Sequence, residues 1–569
     1  MQKKWGKYMA KRVAAMTLAA AMAVSLAGCG GGNPGSPGGS ASGTGGTAAE
    51  AGAAPAEAPA ASSEAPKADS SRKTTADSDE RYGKVTVALS SDPQDLAPYT
   101  WAGDHSKQYI YYNIYEALFD FRGGGYIPIL AKEYQDVDET HTRVTLHDNI
   151  YDAAGNHITA QDVVFSTGLL VDSGNAVKYD IFDSVKAIDD YTLEYTWTGP
   201  VVQVGALEWP WCRTMVVSQK SYEEIGGFAD KPIGTGPYVV SEYVSGAHLT
   251  LKANDKYWQT AQLRDSNHKA NVETIEYDII AEASQHVIAL STDQIQYSQA
   301  VPAENLKDFS EGGQYADRYG VYVTQGSELY TLIPNCSENN LMSDVNLRKA
   351  IFYALDNQAI AAATGTSIAA KAFGTPFFED YYPAWESTET YMNTYDLQKA
   401  KEYLEQSGYN GETLRLEGFN REDIKSIMTM IQALLLQAGI NVEINAKESA
   451  LVQSDVNNPD AWDILLWNPG GGTQVGEWNR PINYNEFGTG FNMAFLHDDE
   501  LQELFMTANT VDGHNEENMT RVHDYIVENA YYHALCMPQM NAVYSKDFAT
   551  LVYRESEFLL PGACDYYLD

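Results

Sequence analysis

Residues 231–258 read KPIGTGPYVVSEYVSGAHLTLKANDKYW, and this stretch carries the strongest signal in the chain. Its first eight residues include two glycines and two prolines, which predicts a tight loop. Gly234-Thr235-Gly236 has the look of a phosphate loop, but Pro237 follows and no Gly-Lys-Ser/Thr does, so we predict a structural turn. A pair of short strands should follow the turn, at 238–240 and 249–252.

The sequence on both sides of this block predicts an α/β protein, because helices, glycine stops and strands follow one another. Strands are predicted at 84–89, 143–147, 193–197, 274–280 and 440–444. Helices are predicted at 107–119, from 159 onward with Thr159 as N-cap, and near 521–531. Three more are predicted at 345–361, 397–406 and 424–438, with Asp344, Asp396 and Asp423 as N-caps, Gly408 at the C′ position of the second and Gly439 as the stop of the third.

The first 80 residues have a different composition. Basic residues precede an apolar run at 13–27, which is too short to cross a hydrocarbon core of ~30 Å, so residues 1–29 are predicted to be a signal peptide. The run ends in Leu26-Ala27-Gly28-Cys29, which resembles a bacterial lipobox, where the Cys thiol receives a lipid. An ordinary signal peptide with a chance Cys29 is the alternative. Residues 30–80 are rich in Ala, Gly, Ser and Pro and lack aromatics, which predicts a flexible tether.

Composition excludes some classes of function. The chain has 77 Asp+Glu against 38 Lys+Arg, a formal net charge of −39. No basic surface is available to replace the counterions of phosphates, so we expect no nucleic-acid partner. Five cysteines in 569 residues cannot build a disulfide scaffold. For Cys212, Cys336, Cys536 and Cys564, the spacing leaves zero, one or two disulfides open.

Motifs of enzymes are missing. The sequence has no G-x-S-x-G, no H-E-x-x-H, no Walker loop and no dinucleotide fingerprint. Its histidines lack the spacing of metal ligands. We therefore expect no catalytic residue, no metal site and no cofactor. Aromatic residues in loops are the stronger signal, because such residues often line ligand pockets. Trp467 and Trp478 lie around a Gly- and Asn-rich loop, and Trp101 follows the first strand; a core role is the alternative for each.

Several blocks, in a fixed order, resemble the extracellular solute-binding proteins of family 5, the oligopeptide- and dipeptide-binding components of ABC importers. The blocks are YNIYEAL at 112–118, PILA at 128–131, TLH at 145–147, TAQDVVFS at 159–166, GTGPY at 234–238 with YW at 257–258, and LRKAI at 347–351. The resemblance covers 82–569. It implies an α/β, periplasmic-binding-protein-like bilobal fold of the type II, large three-domain subclass, with a ligand cleft between the lobes. It also implies the domains: lobe one at 82–119, 221–326 and 526–569, an inserted small domain at 120–220, and lobe two at 327–525.

The resemblance also implies a function. The protein would be lipid-anchored at the extracytoplasmic face of the cell membrane, touch the membrane through that anchor only, and be a monomer. It would capture oligopeptides and deliver them to the permease subunits of an ABC transporter. A sugar or a metal chelate as the solute is the second hypothesis, and a surface-anchored hydrolase is the third.

One departure from the family affects the choice of solute. In the peptide binders, the pattern Trp-x-x-Asp supplies the carboxylate that holds the peptide ammonium, and here Gly470 stands at the place of that Asp. Either Glu477 or Asp104 substitutes, or the solute lacks a free amino terminus, since a buried ammonium needs an anionic partner. The candidate ligand contacts are Trp101 and Asp104 from lobe one, and Tyr330, Trp467, Asn468, Glu477 and Trp478 from lobe two.

Overall fold

The computed structural model describes residues 66–568, apart from 101–104, 123–124, 174–180, 202–204, 230, 261–262, 264–266, 469–472, 484–491 and 555–557. These residues belong to the unit Pro59–Asp569. The predicted signal peptide, Cys29 and the first part of the tether lie outside the described residues, as do Trp101, Asp104 and Gly470. Among the described helices, none combines the length and the apolar character that crossing a membrane requires.

Strands and helices both occur along the described chain, as the sequence predicts, and they alternate one by one at 357–482. The strands are β1 (Tyr82–Leu89), β2 (Phe119–Arg122), β3 (Gly125–Pro128), β4 (Ala131–Asp138), β5 (His141–Leu146), β6 (Phe182–Ala187), β7 (Thr192–Trp197), β8 (Tyr238–Val244), β9 (His248–Ala253), β10 (Val272–Ile279), β11 (Tyr297–Ser298), β12 (Tyr319–Gln325), β13 (Tyr330–Pro334), β14 (Ser367–Ala369), β15 (Thr413–Phe419), β16 (Asn441–Lys447), β17 (Ile464–Trp467), β18 (His533–Ser545), β19 (Tyr553–Arg554) and β20 (Phe558–Leu559). The helices are α1 (His105–Ile114), α2 (Ala160–Asp172), α3 (Gln219–Ile225), α4 (Ala283–Ser291), α5 (Val345–Tyr353), α6 (Asn357–Thr364), α7 (Leu397–Gln406), α8 (Glu422–Ala438), α9 (Ser449–Asp455), α10 (Gln474–Ile482), α11 (Asp499–Ala508) and α12 (Glu516–Glu528).

The long strand β18 joins two sheets. Its first half pairs with β13 and β14, and its second half pairs with β11 and β12. On one side the strand order is β16-β15-β17-β13-β18, and on the other side it is β18-β11-β1-β10-β9-β8. A separate sheet has the order β4-β5-β7-β6.

Buried apolar residues form four clusters around these sheets. The largest lies within 329–537, the second combines 85–297 with 542–566, the third lies within 118–216 with Trp258 added, and the fourth is small and lies around α4. We use lobe two for the first cluster with the sheet β16-β15-β17-β13-β18, and lobe one for the second cluster with its sheet. Because β18 pairs with strands of both lobes, the segment 526–569 is not confined to lobe one. The other predicted boundaries stay predictions.

Several helix ends follow the local signals in the sequence. Thr159 and Asp162 form a capping box at the start of α2. The side chain of Asp344 accepts from the amide of Asn346 at 2.8 Å and begins α5. Asp396 caps α7 in the same way, and Gly439 ends α8 with a φ of 90°.

Other helix predictions were wrong. The predicted helix 345–361 is two helices, because the carboxylate of Asp356 accepts the amides of Gln358 and Ala359 and so begins α6. By contrast, α7 has the predicted bounds, and Gly408 lies at the predicted C′ position directly after the C-cap Ser407. The predicted helix 107–119 ends at Ile114, and the predicted helix 521–531 spans Glu516–Glu528.

The folded body begins earlier than predicted. The amide of Thr75 donates to the carbonyl of Tyr566 at 2.9 Å, and the amide of Tyr566 donates to Thr75 Oγ1 at 3.0 Å. The guanidinium of Arg72 lies 3.7 Å from the ring centroid of Tyr567. Residues 72–77 are therefore packed on the C-terminal segment, and the predicted boundary of the tether at 80 is corrected. Local composition could not show this, because the partners come from the other end of the chain.

The four cysteines of the described part are free thiols: Cys212, Cys336, Cys536 and Cys564. Of the residues that the structure describes, no three or more His, Cys, Asp and Glu come together as a metal site would require.

The glycines of the loop before β8 are required by a close approach to α1. A Cβ atom at Gly234 would lie 2.0 Å from the carbonyl oxygen of Ile114, and one at Gly236 would lie 2.6 Å from the same group. The amide of Gly236 donates to that oxygen at 2.8 Å. The predicted structural turn thus holds the C-terminal end of α1 against the start of β8.

We expect Gly234→Ala to lower the melting temperature of the protein clearly, because overpacking against backbone atoms typically costs about 1–3 kcal/mol or more. Gly168→Ala is the matched control, since Gly168 lies exposed inside α2 with no atom within 4 Å of its would-be Cβ. That change should leave the melting temperature unchanged or raise it. Scanning calorimetry compares the two variants, and equal melting temperatures would contradict the role of the loop.

Candidate functional site

The carboxyl ends of three parallel strands meet at one edge of the lobe two sheet. β15 is parallel to β16 and to β17, and these strands end at Phe419, Lys447 and Trp467. β13 is antiparallel to β17, so its first residue, Tyr330, lies at the same edge. Ligands of open α/β sheets bind outside the carboxyl ends of the strands. We therefore take this edge, which we call the carboxyl edge, as the candidate solute site.

The structure brings three of the predicted contacts together at the carboxyl edge: Tyr330, Trp467 and Asn468. Trp467 is 4% exposed, and its ring centroid lies 5.1 Å from that of Phe419. Its carbonyl accepts from the hydroxyl of Thr331 at 3.3 Å. Within the described ranges, the indole Nε1 of Trp467 donates no hydrogen bond. The two rings thus form an apolar wall at the ends of β15 and β17, with partly buried Asn468 directly after it.

An ion pair lies at the same edge, where α8 begins. The guanidinium of Arg421 bonds the carboxylate of Asp423 through two nitrogens, with 3.1 Å from Nε to Oδ1. The hydroxyl of Tyr330 donates to the same carboxylate, and Arg421 also donates to that hydroxyl at 3.2 Å. The side chain of Arg421 is 48% exposed. The guanidinium of Arg421 is therefore accessible to solvent, and its contacts with Asp423 and Tyr330 fix its orientation.

The electrostatics of this group keep both charges in place. Burial raises the pKa of Asp423, but the hydrogen bonds from Arg421 and Tyr330 outweigh burial and hold this pKa below its ordinary value. The hydrogen bonds to Asp423 raise the pKa of Arg421 further above neutrality, against the effect of burial. Burial, and then the bond to Asp423, raise the pKa of Tyr330. The hydroxyl therefore stays neutral and works as a donor.

Asp423 has a different role from the one predicted. The sequence suggests an N-cap, but Arg421 occupies the N-cap of α8 and Asp423 lies in the first turn. Its carboxylate is bound to Tyr330, which is 93 positions away in the chain. Asp423 thus belongs to the carboxyl edge, and a local helix signal led to the wrong assignment.

Trp478 and Glu477 lie on α10, which is a helix and not the predicted loop. Trp478 is fully buried, stacked on Phe373 with centroids 5.4 Å apart, and it also contacts Trp385 at 5.6 Å. These are contacts of the lobe two core, which was the alternative for each loop aromatic. Glu477 is partly buried. As ligand contacts, both residues stay predictions.

The start of α10 is fixed by a distant segment. The carboxylate of Asp380 accepts from the amides of Gln474 and Val475 at 2.8 and 3.2 Å. The side-chain oxygen of Gln474 in turn accepts from the amide of Thr375 at 2.9 Å. Thr473 is the local N-cap of α10, since its hydroxyl accepts from the amide of Gly476 at 3.1 Å. Asp380 adds a second cap from outside the helix and positions the helix that carries Glu477.

Sequence reasoning missed Phe419 and Arg421. The signal was present: TLRLEGF at 413–419 alternates apolar and polar residues, as a strand does. A strand followed within a few residues by a helix would have placed Arg421 beyond a carboxyl end. Its pairing with Tyr330 depends on the register between distant strands, which no local pattern reveals.

Comparisons with known proteins agree with this architecture. A family model described as bacterial extracellular solute-binding proteins, family 5 middle, matches residues 125–489. The dipeptide-binding protein of Escherichia coli strain K12 is 26% identical over 333 residues, which are 52% of this chain and 58% of that protein. The glutathione-binding protein GsiB of the same strain is 23% identical over 445 residues, 74% of this chain and 82% of that one.

A similar solved structure is the oligopeptide-binding protein AppA of Bacillus subtilis in complex with a nonapeptide. It has a TM-score of 0.65 at 18% identity, over 86% of this chain and 100% of that one. At this identity the likeness shows the fold. The fold is therefore the bilobal α/β fold of periplasmic peptide-binding proteins, as predicted.

Proposed function

This chain belongs to the family 5 bacterial extracellular solute-binding proteins, whose members serve ABC importers, and on that basis we propose that it captures oligopeptides and delivers them to a permease. Two relatives whose names state dipeptide or glutathione binding support a peptide as the solute. In this role the protein binds and releases its solute without changing it covalently, in line with a family of transport binding proteins.

The observation that carries the proposal is the half-exposed Arg421, oriented by Asp423 and Tyr330 at the carboxyl edge. A guanidinium carries five N–H donors. Asp423 and Tyr330 take the donors on Nε and Nη2 of Arg421, which leaves those on Nη1 for a further acceptor. We assign Arg421 to a carboxylate of the solute. Trp467 and Phe419 would give an apolar surface to a side chain, and Asn468 would bond the solute backbone.

The remaining contacts and the location complete the proposal. Trp101, Asp104, Glu477 and Trp478 are proposed contacts on the further parts of the cleft. Cys29 is proposed to carry the lipid that holds the protein, as a monomer, at the extracytoplasmic face of the cell membrane, since acyl chains contribute ~0.8 kcal/mol per buried CH₂.

A thermal-shift panel tests the class of solute. Free peptides of two to nine residues, simple sugars and nickel chelates are added in turn to the purified protein. Peptides should raise the melting temperature, because a ligand that binds only the folded state stabilises it. If only sugars or chelates raise the melting temperature, the solute is the alternative one and not a peptide. A separate assay of the same compounds for hydrolysis tests the third hypothesis, and turnover of any of them would favour the hydrolase.

A further inference from the structure

A second charged group lies beside the proposed solute site. Lys447, the last residue of β16, pairs in register with Phe419, the last residue of β15. Its ammonium bonds Glu417 Oε2 at 2.5 Å and Asp455 Oδ2 at 2.7 Å. Because side chains alternate along a strand, Glu417 and Phe419 lie on the same face of β15. We call Glu417, Lys447 and Asp455 the acidic triad.

The triad holds more negative than positive charge. Two carboxylates share one ammonium, which leaves one negative charge over. Arg415, on the same face of β15, does not cancel it, because its guanidinium is bound to Asp463 through 3.0 and 2.8 Å contacts. Glu448, bound by Asn420 at 2.8 Å, is also acidic. The excess charge is therefore a property of this part of the sheet.

The burial of the Glu417 carboxylate is unfavourable for the stability of the fold. It is 0% exposed, and its Oε1 atom has no hydrogen-bond partner among the residues that the structure describes. Burial raises its pKa, Lys447 opposes this effect, and the neighbouring carboxylate of Asp455 adds to it. A buried carboxylate oxygen without a partner destabilises a protein. One of its two oxygens is held by Lys447, and Oε1 remains available to a further donor.

The triad is open toward solvent. The side chains of Lys447 and Asp455 are 29% and 26% exposed, whereas Glu417 lies beneath them. The triad also adjoins the aromatic wall, since Phe419 lies between Lys447 and Trp467 in the strand order. Aromatic faces and carboxylates together suit a cation with an apolar stem, such as a lysine or arginine side chain.

We infer that the acidic triad is a subsite for a cationic group of the solute, so that peptides with an ammonium or guanidinium side chain are preferred. This inference rests on the proposed peptide function and adds the class of peptide.

Calorimetry with a matched peptide series tests the inference. Trialanine is compared with peptides in which one alanine at a time is replaced by lysine or by norleucine, which has a similar stem without the charge. At one position we expect lysine to bind at least tenfold more tightly than norleucine. In Glu417→Gln the ratio of the lysine to the norleucine affinity should fall close to one. In Asp455→Asn, which changes a more exposed residue, the same ratio should also fall.

The control is Glu443→Gln, which removes the same charge from an exposed position on β16 and should leave the ratio unchanged. Melting temperatures show that each variant is folded. A lysine-to-norleucine ratio near one in the unchanged protein, or a ratio that Glu417→Gln does not alter, would overturn the inference. If no peptide binds, the proposed function fails. The subsite is then tested separately with 1,5-diaminopentane. Weaker binding of this diamine to Glu417→Gln would support the subsite, and unchanged binding would contradict it.

Discussion

Replacement of Arg348 by methionine should strongly destabilise lobe two. Arg348 lies on α5 and is 4% exposed, and among the described residues its hydrogen-bond partners include no carboxylate. Its guanidinium instead donates to four backbone carbonyls at 2.8–3.0 Å, those of Met342, Ser343, Asn529 and Ala530. The last two follow the end of α12, whose terminal carbonyls need donors. Arg348 therefore joins the start of α5 to the end of α12.

Methionine fills a similar volume but donates nothing. A buried polar group that loses its partner costs about 1–3 kcal/mol, and four carbonyls are affected, so we expect roughly 4 kcal/mol after partial relaxation. For a lobe of this size that corresponds to a fall of roughly 10 °C in the melting temperature. The melting temperature of Arg348→Lys should lie between those of the unchanged protein and of Arg348→Met, because one ammonium cannot reach the carbonyls of two separate segments.

Arg143→Met is the matched control for this change. Arg143 forms a pair with Glu194 at 3.1 Å, but its side chain is 51% exposed. Exposed pairs contribute about 0–1 kcal/mol, so the melting temperature should hardly move. Scanning calorimetry of the three variants gives the comparison. If Arg348→Met melted together with Arg143→Met, the four hydrogen bonds would not carry the stability that we assign to them.

Replacement of Arg421 by methionine should weaken the binding of peptides with a free carboxyl terminus by roughly 30- to 100-fold. Truncating one partner of a buried hydrogen-bonded charge pair costs about 2–5 kcal/mol. Arg421 is half-exposed in the free protein, so we expect a loss at the lower end of that range. Peptides whose carboxyl terminus is amidated should bind almost equally to both proteins. This difference between two ligands separates a lost carboxylate contact from a disturbed fold.

Lys425→Met provides the control for charge. Lys425 lies four residues further along α8 and forms an exposed pair with Glu422. Its replacement removes the same charge and should not affect either class of peptide. Isothermal titration calorimetry measures the affinities. An equal loss for free and amidated peptides with Arg421→Met would show that Arg421 supports the fold and does not receive the carboxylate.

Local features of the fold were predictable from the sequence, because the residues that determine them are neighbours in the chain. Asp344, Asp396 and Thr159 begin helices as N-caps, since their side chains reach amides two or three positions away. Gly439 ends α8 for a similar local reason. The ordered motifs were long enough to identify the family and hence the bilobal fold.

The candidate site was only partly predictable, because distant contacts define it. Trp467 was found as an aromatic beside a glycine-rich loop, but the same signal selected Trp478, which packs against Phe373 more than a hundred positions away. The strand pattern at 413–419 could have placed Arg421 beyond a carboxyl end, but its pairing with Tyr330 and the contacts of Glu417 depend on which strand lies next to β15. Register between strands is set by the packing of the whole lobe.

Hydrogen–deuterium exchange with the tightest peptide of the panel tests the central claim most directly. If the solute is held at the carboxyl edge of lobe two, the amides at 419–423 and 467–468 should exchange more slowly in the complex than in the free protein. Amides at 441–444, which lie at the opposite end of the edge strand β16, should exchange at the same rate in both. Unchanged exchange at 419–423 and 467–468 in a protein saturated with peptide would contradict the account.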